Sequence, residues 1–147
     1  MIHKEEEMKK FFKKLVGLDI AELLTAVGND DFDEIKKIIS TTIHIDKVQN
    51  GTFYNALALA TLHNNFKMVK FLLENGADPN VPVTPYSQTC LHMAAEYGWT
   101  DIAKLLIEYG AIPNVRVKFI IRKKTPLMIA QEKNHQDIVA ILEQFNT

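Results

Sequence analysis

Four places in this 147-residue chain could do chemistry: a lone cysteine, five histidines, an acidic run and a basic run. Cys90 opens an apolar helical run, and a helix start draws a thiol toward the nucleophilic thiolate. A thiolate catalyst also needs a base, and no histidine in the same stretch sits clearly opposite it. The histidines, His3, His44, His63, His92 and His135, include no pair at helical ligand spacing, which a zinc site would use. Asn29-Asp30-Asp31-Phe32-Asp33-Glu34 offers oxygens as a calcium loop does. It lacks the glycine after the third ligand position and the bidentate glutamate seven residues later. Phosphate loops, dinucleotide fingerprints, nucleophile elbows and H-E-x-x-H are absent. The expectation is a protein that is not an enzyme, with no catalytic residue, cofactor or metal ligand.

The composition agrees with a binding role. Apolar residues make up 47% and charged residues 24%, as in ordinary globular domains. The net charge of −1 gives no global pull toward nucleic acid or membrane. A single cysteine forbids an internal disulfide and points to a reducing, cytoplasmic setting. MIHKEEEMKKFF has no apolar core of the kind a secretory signal carries. Asn50-Gly51-Thr52 matches a glycosylation sequon, read here as a chance match on a turn.

What positions these residues is a repeat. Phe71-Leu72-Leu73-Glu74-Asn75-Gly76-Ala77-Asp78-Pro79-Asn80 matches Leu105-Leu106-Ile107-Glu108-Tyr109-Gly110-Ala111-Ile112-Pro113-Asn114 at an offset of 34. The same offset runs backward, and an offset of 36 runs forward, giving four units. Leu23, Leu57, Leu91 and Leu127 form one column; Ala26, Ala60, Ala94 and Ala130 a second; Ile38, Leu72, Leu106 and Leu142 a third. The alanines mark where two helices approach closely. Each unit reads as helix, tight turn, helix and a non-helical stretch. Asn55, Thr89 and Thr125 suit N-caps, Pro126 suits a first helical position, and Gly76 and Gly110 suit left-handed C-terminal residues. Each helix is too short to stand alone in water, where about 12–15 residues are marginal, so each pair must pack on its neighbours.

The motifs resemble the ankyrin-repeat family. Thr125-Pro126-Leu127-Met128-Ile129-Ala130 and Thr89-Cys90-Leu91-His92-Met93-Ala94 are similar to its Thr-Pro-Leu-His-x-Ala motif. Asn75-Gly76-Ala77-Asp78-Pro79-Asn80 is similar to its Gly-Ala-Asp-x-Asn turn. A tetratricopeptide array shares the period but would not place about ten proline-rich, non-helical residues between units. The resemblance implies an all-α ankyrin solenoid, helix-turn-helix pairs with β-hairpin or loop fingers. The repeat domain is expected at 19–147, with units near 19–50, 51–84, 85–120 and 121–147. The resemblance makes His92 a structural residue bonding the neighbouring loop, and Cys90 a small residue in the motif's proline slot. It also implies hydroxylation of Asn80 and Asn114 in an animal host, although Pro79 and Pro113 depart from the branched residue usual before such an asparagine.

The ends differ from the middle. One column reads Glu34, Met68, Ile102, Ile138 and another Ile39, Leu73, Ile107, Glu143. Polarity at opposite ends suits caps, so a complete four-unit array is expected. Residues 1–18 form an extra amphipathic helix in which Met8, Phe11, Phe12, Leu15 and Val16 share a face. It is expected to pack on the array's first end, with Asp19 and Glu22 forming a capping box after it.

Partners of such arrays meet fingertips and the exposed face of the first helices, which together form a concave surface. By register the partner-binding residues are Thr52, Tyr54, His63, Tyr86, Gln88, Glu96, Tyr97, Arg116, Lys118, Phe119, Arg122, Lys124 and Lys133. The stretch Val115–Lys124 carries five cations and no anion, and alternates apolar and basic residues at its start. It is read as a projecting finger that docks an acidic protein surface. Trp99 falls in the turn between the helices of unit three and is read as structural cover. The expected function is a monomeric, cytoplasmic protein–protein interaction module, adaptor or inhibitor, that binds neither nucleic acid nor membrane. The alternatives are a self-associating structural or regulatory protein, and a secreted microbial effector that binds a host protein.

Overall fold

The structure, a computed structural model, describes residues 18–41, 45, 46, 55–116 and 124–145. The expected N-terminal helix and finger residues 117–123 lie outside the described residues. Among the described residues there are eight helices and no strand. They are α1 (Leu18–Gly28), α2 (Phe32–Thr41), α3 (Ala56–Leu62), α4 (Phe66–Glu74), α5 (Cys90–Tyr97), α6 (Thr100–Glu108), α7 (Pro126–Glu132) and α8 (Gln136–Glu143). They form four antiparallel pairs. First helices stack in the order α1, α3, α5, α7, and second helices α4, α6, α8 stack behind them.

The expected caps are in place. Asn55 Oδ1 accepts from the Ala58 amide at 2.8 Å, and Thr125 Oγ1 accepts from the Met128 amide at 3.3 Å. At α5 the box is closed by histidine: the Thr89 amide donates to His92 Nδ1 at 3.2 Å. The capping box expected at Asp19 is a correction. Asp19 already lies within α1, where its backbone is helical rather than in the extended conformation an N-cap needs.

The three apolar columns form the core. Leu23, Leu57, Leu91 and Leu127 are buried, as are Ile38, Leu72, Leu106 and Leu142. Ala60, Ala94 and Ala130 are at most 1% exposed, so their lack of bulk sets the helix spacing. Of the end columns, Glu34 is half-buried and bonds Lys37 at 3.1 Å, while Glu143 is exposed. The apolar residues at Glu34's position in later units, Met68, Ile102 and Ile138, are buried.

Polar rungs run beside the apolar columns. Asp46, Asn80 and Asn114 share one repeat position. Asp46 Oδ1 accepts from the Asp78 amide at 2.9 Å. Asn80 Oδ1 accepts from the Ile112 amide at 2.8 Å, and its Nδ2 donates to the Gly110 carbonyl at 3.0 Å. Asn114 Nδ2 donates to the Phe145 carbonyl at 2.8 Å. Each unit thus holds the turn of the next.

Gly76 and Gly110 adopt φ of 90° and 89°, the left-handed backbone their positions require. The turn between paired helices is a second left-handed column, which the repeat comparison overlooked. It is Asp30, Asn64, Gly98 and Asn134, with φ of 57°, 53°, 80° and 60°. Asp and Asn tolerate this region better than other side chains. Gly98 has a further constraint: a Cβ there would lie 2.8 Å from the His135 ring, whereas at Gly110 it would meet nothing within 4 Å. Gly110→Asn should therefore cost only backbone strain, about 1 kcal/mol or less, in urea unfolding. Gly98→Asn keeps the tolerated backbone but collides with His135, and should cost about 1–3 kcal/mol as an overpacked contact does.

Candidate interaction surface

The finger between units two and three is a short closed loop. The Val83 amide donates to the Gln88 carbonyl at 2.7 Å, and the Ser87 amide to the Thr84 carbonyl at 3.1 Å. Pro85 sits second in this turn, where its fixed φ suits. The turn holds Tyr86 outward at 42% exposure. Gln88 is half-buried at the finger's return, its amide donating to Thr84 Oγ1 at 3.1 Å.

The first helices end on a second group. His63 follows α3 and is exposed. Glu96 and Tyr97 close α5, and Lys133 follows α7. Lys133 Nζ reaches Glu96 Oε1 at 3.3 Å, joining units three and four across the exposed face. Tyr97 stands 55% exposed and stacks on Trp99, with centroids 4.8 Å apart and planes 17° apart. Trp99 packs partly against the core in the turn between α5 and α6, as its register implied. It therefore also backs Tyr97, so the aromatic shelf is one rigid piece.

Lys124 pairs with Glu132 on α7. Arg116 is exposed at the root of the last finger. The structure thus joins Glu96 with Lys133 and Tyr97 with Trp99, while Tyr86 and Gln88 stand on the finger and His63 at the end of α3. Thr52, Tyr54, Lys118, Phe119 and Arg122 lie outside the described residues. Met128, overlooked in the register, stands 46% exposed. Its repeat position is that of the buried His92, and Met128 is absent from the expected contact residues.

The two chemically suggestive residues are structural. Cys90 is buried, and burial pushes its thiol up to about 12, outweighing the lowering effect of the nearby Thr61 hydroxyl. Its size fits the slot; its thiolate is not accessible. His92 is fully buried, its Nδ1 accepting at Thr89 and its Nε2–H donating to the Val115 carbonyl at 3.0 Å. Burial lowers its pKa from 6.5 to about 4, against the raising effect of the Val115 carbonyl. It ties the helix start to the next finger and carries no proton at neutral pH beyond the one it donates.

Comparison with known proteins agrees with this geometry. The family model for ankyrin repeats in three copies matches residues 82–146, and that for a single ankyrin repeat matches 52–81. An ankyrin repeat protein of Acanthamoeba polyphaga mimivirus is 30% identical over 115 residues, covering 78% of this chain and 68% of its own. An ankyrin repeat protein of Rickettsia felis is 28% identical over 89% of this chain, which spans 44% of that relative. An E3 ubiquitin-protein ligase of Drosophila melanogaster is 29% identical over 83% of this chain, but only 4% of the ligase is covered. The chain belongs to the ankyrin-repeat family. Ankyrin repeats are generally protein–protein interaction modules and typically non-enzymatic. No described helix is long and apolar enough to cross a membrane.

Two outcomes follow from the buried pair. His92 is neutral when folded and takes up a proton more readily when unfolded. Its contribution is therefore complete above pH 6.5 and is lost as pH falls toward 4. The loss is on the order of 3 kcal/mol, measured by urea unfolding at steps across that window, and His92→Gln should flatten this part of the profile. Cys90 should resist a thiol reagent such as Ellman's in the native protein and react at once in urea.

Proposed function

We propose that the chain is an adaptor or inhibitor that holds a partner protein on the concave face formed by its first helices and fingertips. The observation that carries this reading is the Tyr97–Trp99 stack. A large aromatic face held rigid by a neighbour, yet left 55% exposed, adds nothing to the core. Tyrosine supplies contact area at little entropic cost and one polar handle, the chemistry of binding hot spots. Tyr86 offers a second such face on the finger.

The proposed contact set is Thr52, Tyr54, His63, Tyr86, Gln88, Glu96, Tyr97, Arg116, Lys118, Phe119, Arg122, Lys124 and Lys133. Arg116 and Lys124, with Lys118 and Arg122, favour an acidic partner surface at the last finger. The binding domain spans 19–147 in units near 19–50, 51–84, 85–120 and 121–147. The protein acts as a monomer in a reducing compartment, the setting its one buried thiol suits.

Affinity capture with the intact chain, beside Tyr86→Ala, Tyr97→Ala and a Phe119→Ala/Arg122→Glu/Lys124→Glu variant, tests the reading. A hot-spot residue costs 2 kcal/mol or more when truncated, so Tyr97→Ala should weaken a captured partner about 30-fold. Thermal unfolding of these surface variants should shift little. A partner held equally by all the variants would move the site elsewhere. Concentration-dependent sedimentation of the intact chain would instead favour self-association.

A further inference from the structure

The first helix pair presents a groove of about 430 Å³, lined chiefly by Ala21, Glu22, Thr25, Ala26, Asp31 and Glu34. Its place in the repeat gives it meaning. Thirty-four residues on, Glu22, Ala26 and Glu34 become Ala56, Ala60 and Met68. All three are at most 1% exposed, in a pair whose first helix α3 packs on α1. In the third pair the same positions are Cys90, Ala94 and Ile102, again at most 1% exposed. The groove is therefore the seat that, in later units, faces the preceding pair. In α1 and α2 this seat is rewritten in charge: Glu22 stands for Ala56 and Cys90, and Glu34 for Met68 and Ile102. Ala26, the close-approach alanine, is kept and is 5% exposed.

The chain running into α1 has the complementary chemistry. Residues 1–17 carry Met8, Phe11, Phe12, Leu15 and Val16 at helical spacing. Lys9, Lys10, Lys13 and Lys14 are interleaved with them. Wound as a helix, seventeen residues would span about 26 Å, more than the roughly 16 Å of α1. We propose that residues 1–17 occupy this groove, seating their apolar stripe over Ala21, Thr25 and Ala26, with Lys9 and Lys14 at the stripe's edges reaching the rim carboxylates Glu22, Asp31 and Glu34. The segment takes the seat of a preceding helix pair. The acidic rim favours a basic amphipathic occupant over the apolar face of another repeat, because an apolar cover would strip water from these carboxylates without supplying a cation.

Cysteine pairs in the full-length chain test the seating. Thr25→Cys is combined in turn with Met8→Cys, Phe12→Cys and Leu15→Cys; the buried Cys90 does not compete. A disulfide requires Cα atoms within about 7 Å. At least one pair should close within a single chain under mild oxidant. Bridges only between chains would mean that a second copy sits in the groove, and would overturn the proposal. No bridge, with Thr25→Cys still open to maleimide, would overturn it also. A charge test reads the same contact without oxidation. Reversing Lys9, Lys10, Lys13 and Lys14 to glutamate should speed amide exchange in Leu18–Gly28 about ten-fold and leave Cys90–Glu108 unchanged, since repeats respond locally. Adding Glu22→Lys and Glu34→Lys should restore protection. Unchanged exchange in Leu18–Gly28 would sink the idea.

Discussion

No helix pair in this protein can bury its apolar face alone. The described helices run from 7 to 11 residues, short of the length that holds in water. Each pair becomes stable only against the next, and every other feature is arranged around that contact. Small residues at the close-approach positions let the helices meet, and the large aliphatics between them close the seam. An array built this way has no single centre. Its stability is a sum of interfaces, and a defect is felt most in the units beside it.

The polar residues work within this scheme rather than beside it. The Asp46, Asn80 and Asn114 rung fastens each turn to the unit after it. His92 fastens a helix start to the next finger, and His135 Nε2–H donates to the Glu96 carbonyl of the unit before at 3.1 Å. Both histidines are spent on backbone carbonyls. Their polar atoms satisfy main-chain groups that the stacking would otherwise leave bare.

Much of this was legible in the sequence, because a repeat writes each contact several times. The Leu23, Ala26 and Ile38 columns, the caps at Asn55, Thr89 and Thr125, and the turns at Gly76 and Gly110 all follow from self-alignment. The left-handed column at Asp30, Asn64, Gly98 and Asn134 did not, because three residue types share one backbone state. The capping box at Asp19 was misplaced because a good local signal lay inside a helix that starts earlier. The surface was least legible. The pairings of Lys133 with Glu96 and Lys124 with Glu132 depend on long side chains crossing between or along helices, which spacing does not encode.

Trp99 is the one tryptophan in the chain. It touches the core on one side and the exposed Tyr97 ring on the other. The tryptophan fluorescence of the whole protein therefore originates at a single corner, between the third pair of helices and the face beside it. Its emission colour follows the wetting of that corner and not the average state of the array. The molecule carries its own optical gauge, placed where folding of the middle units and occupation of the aromatic shelf would each leave a separate mark.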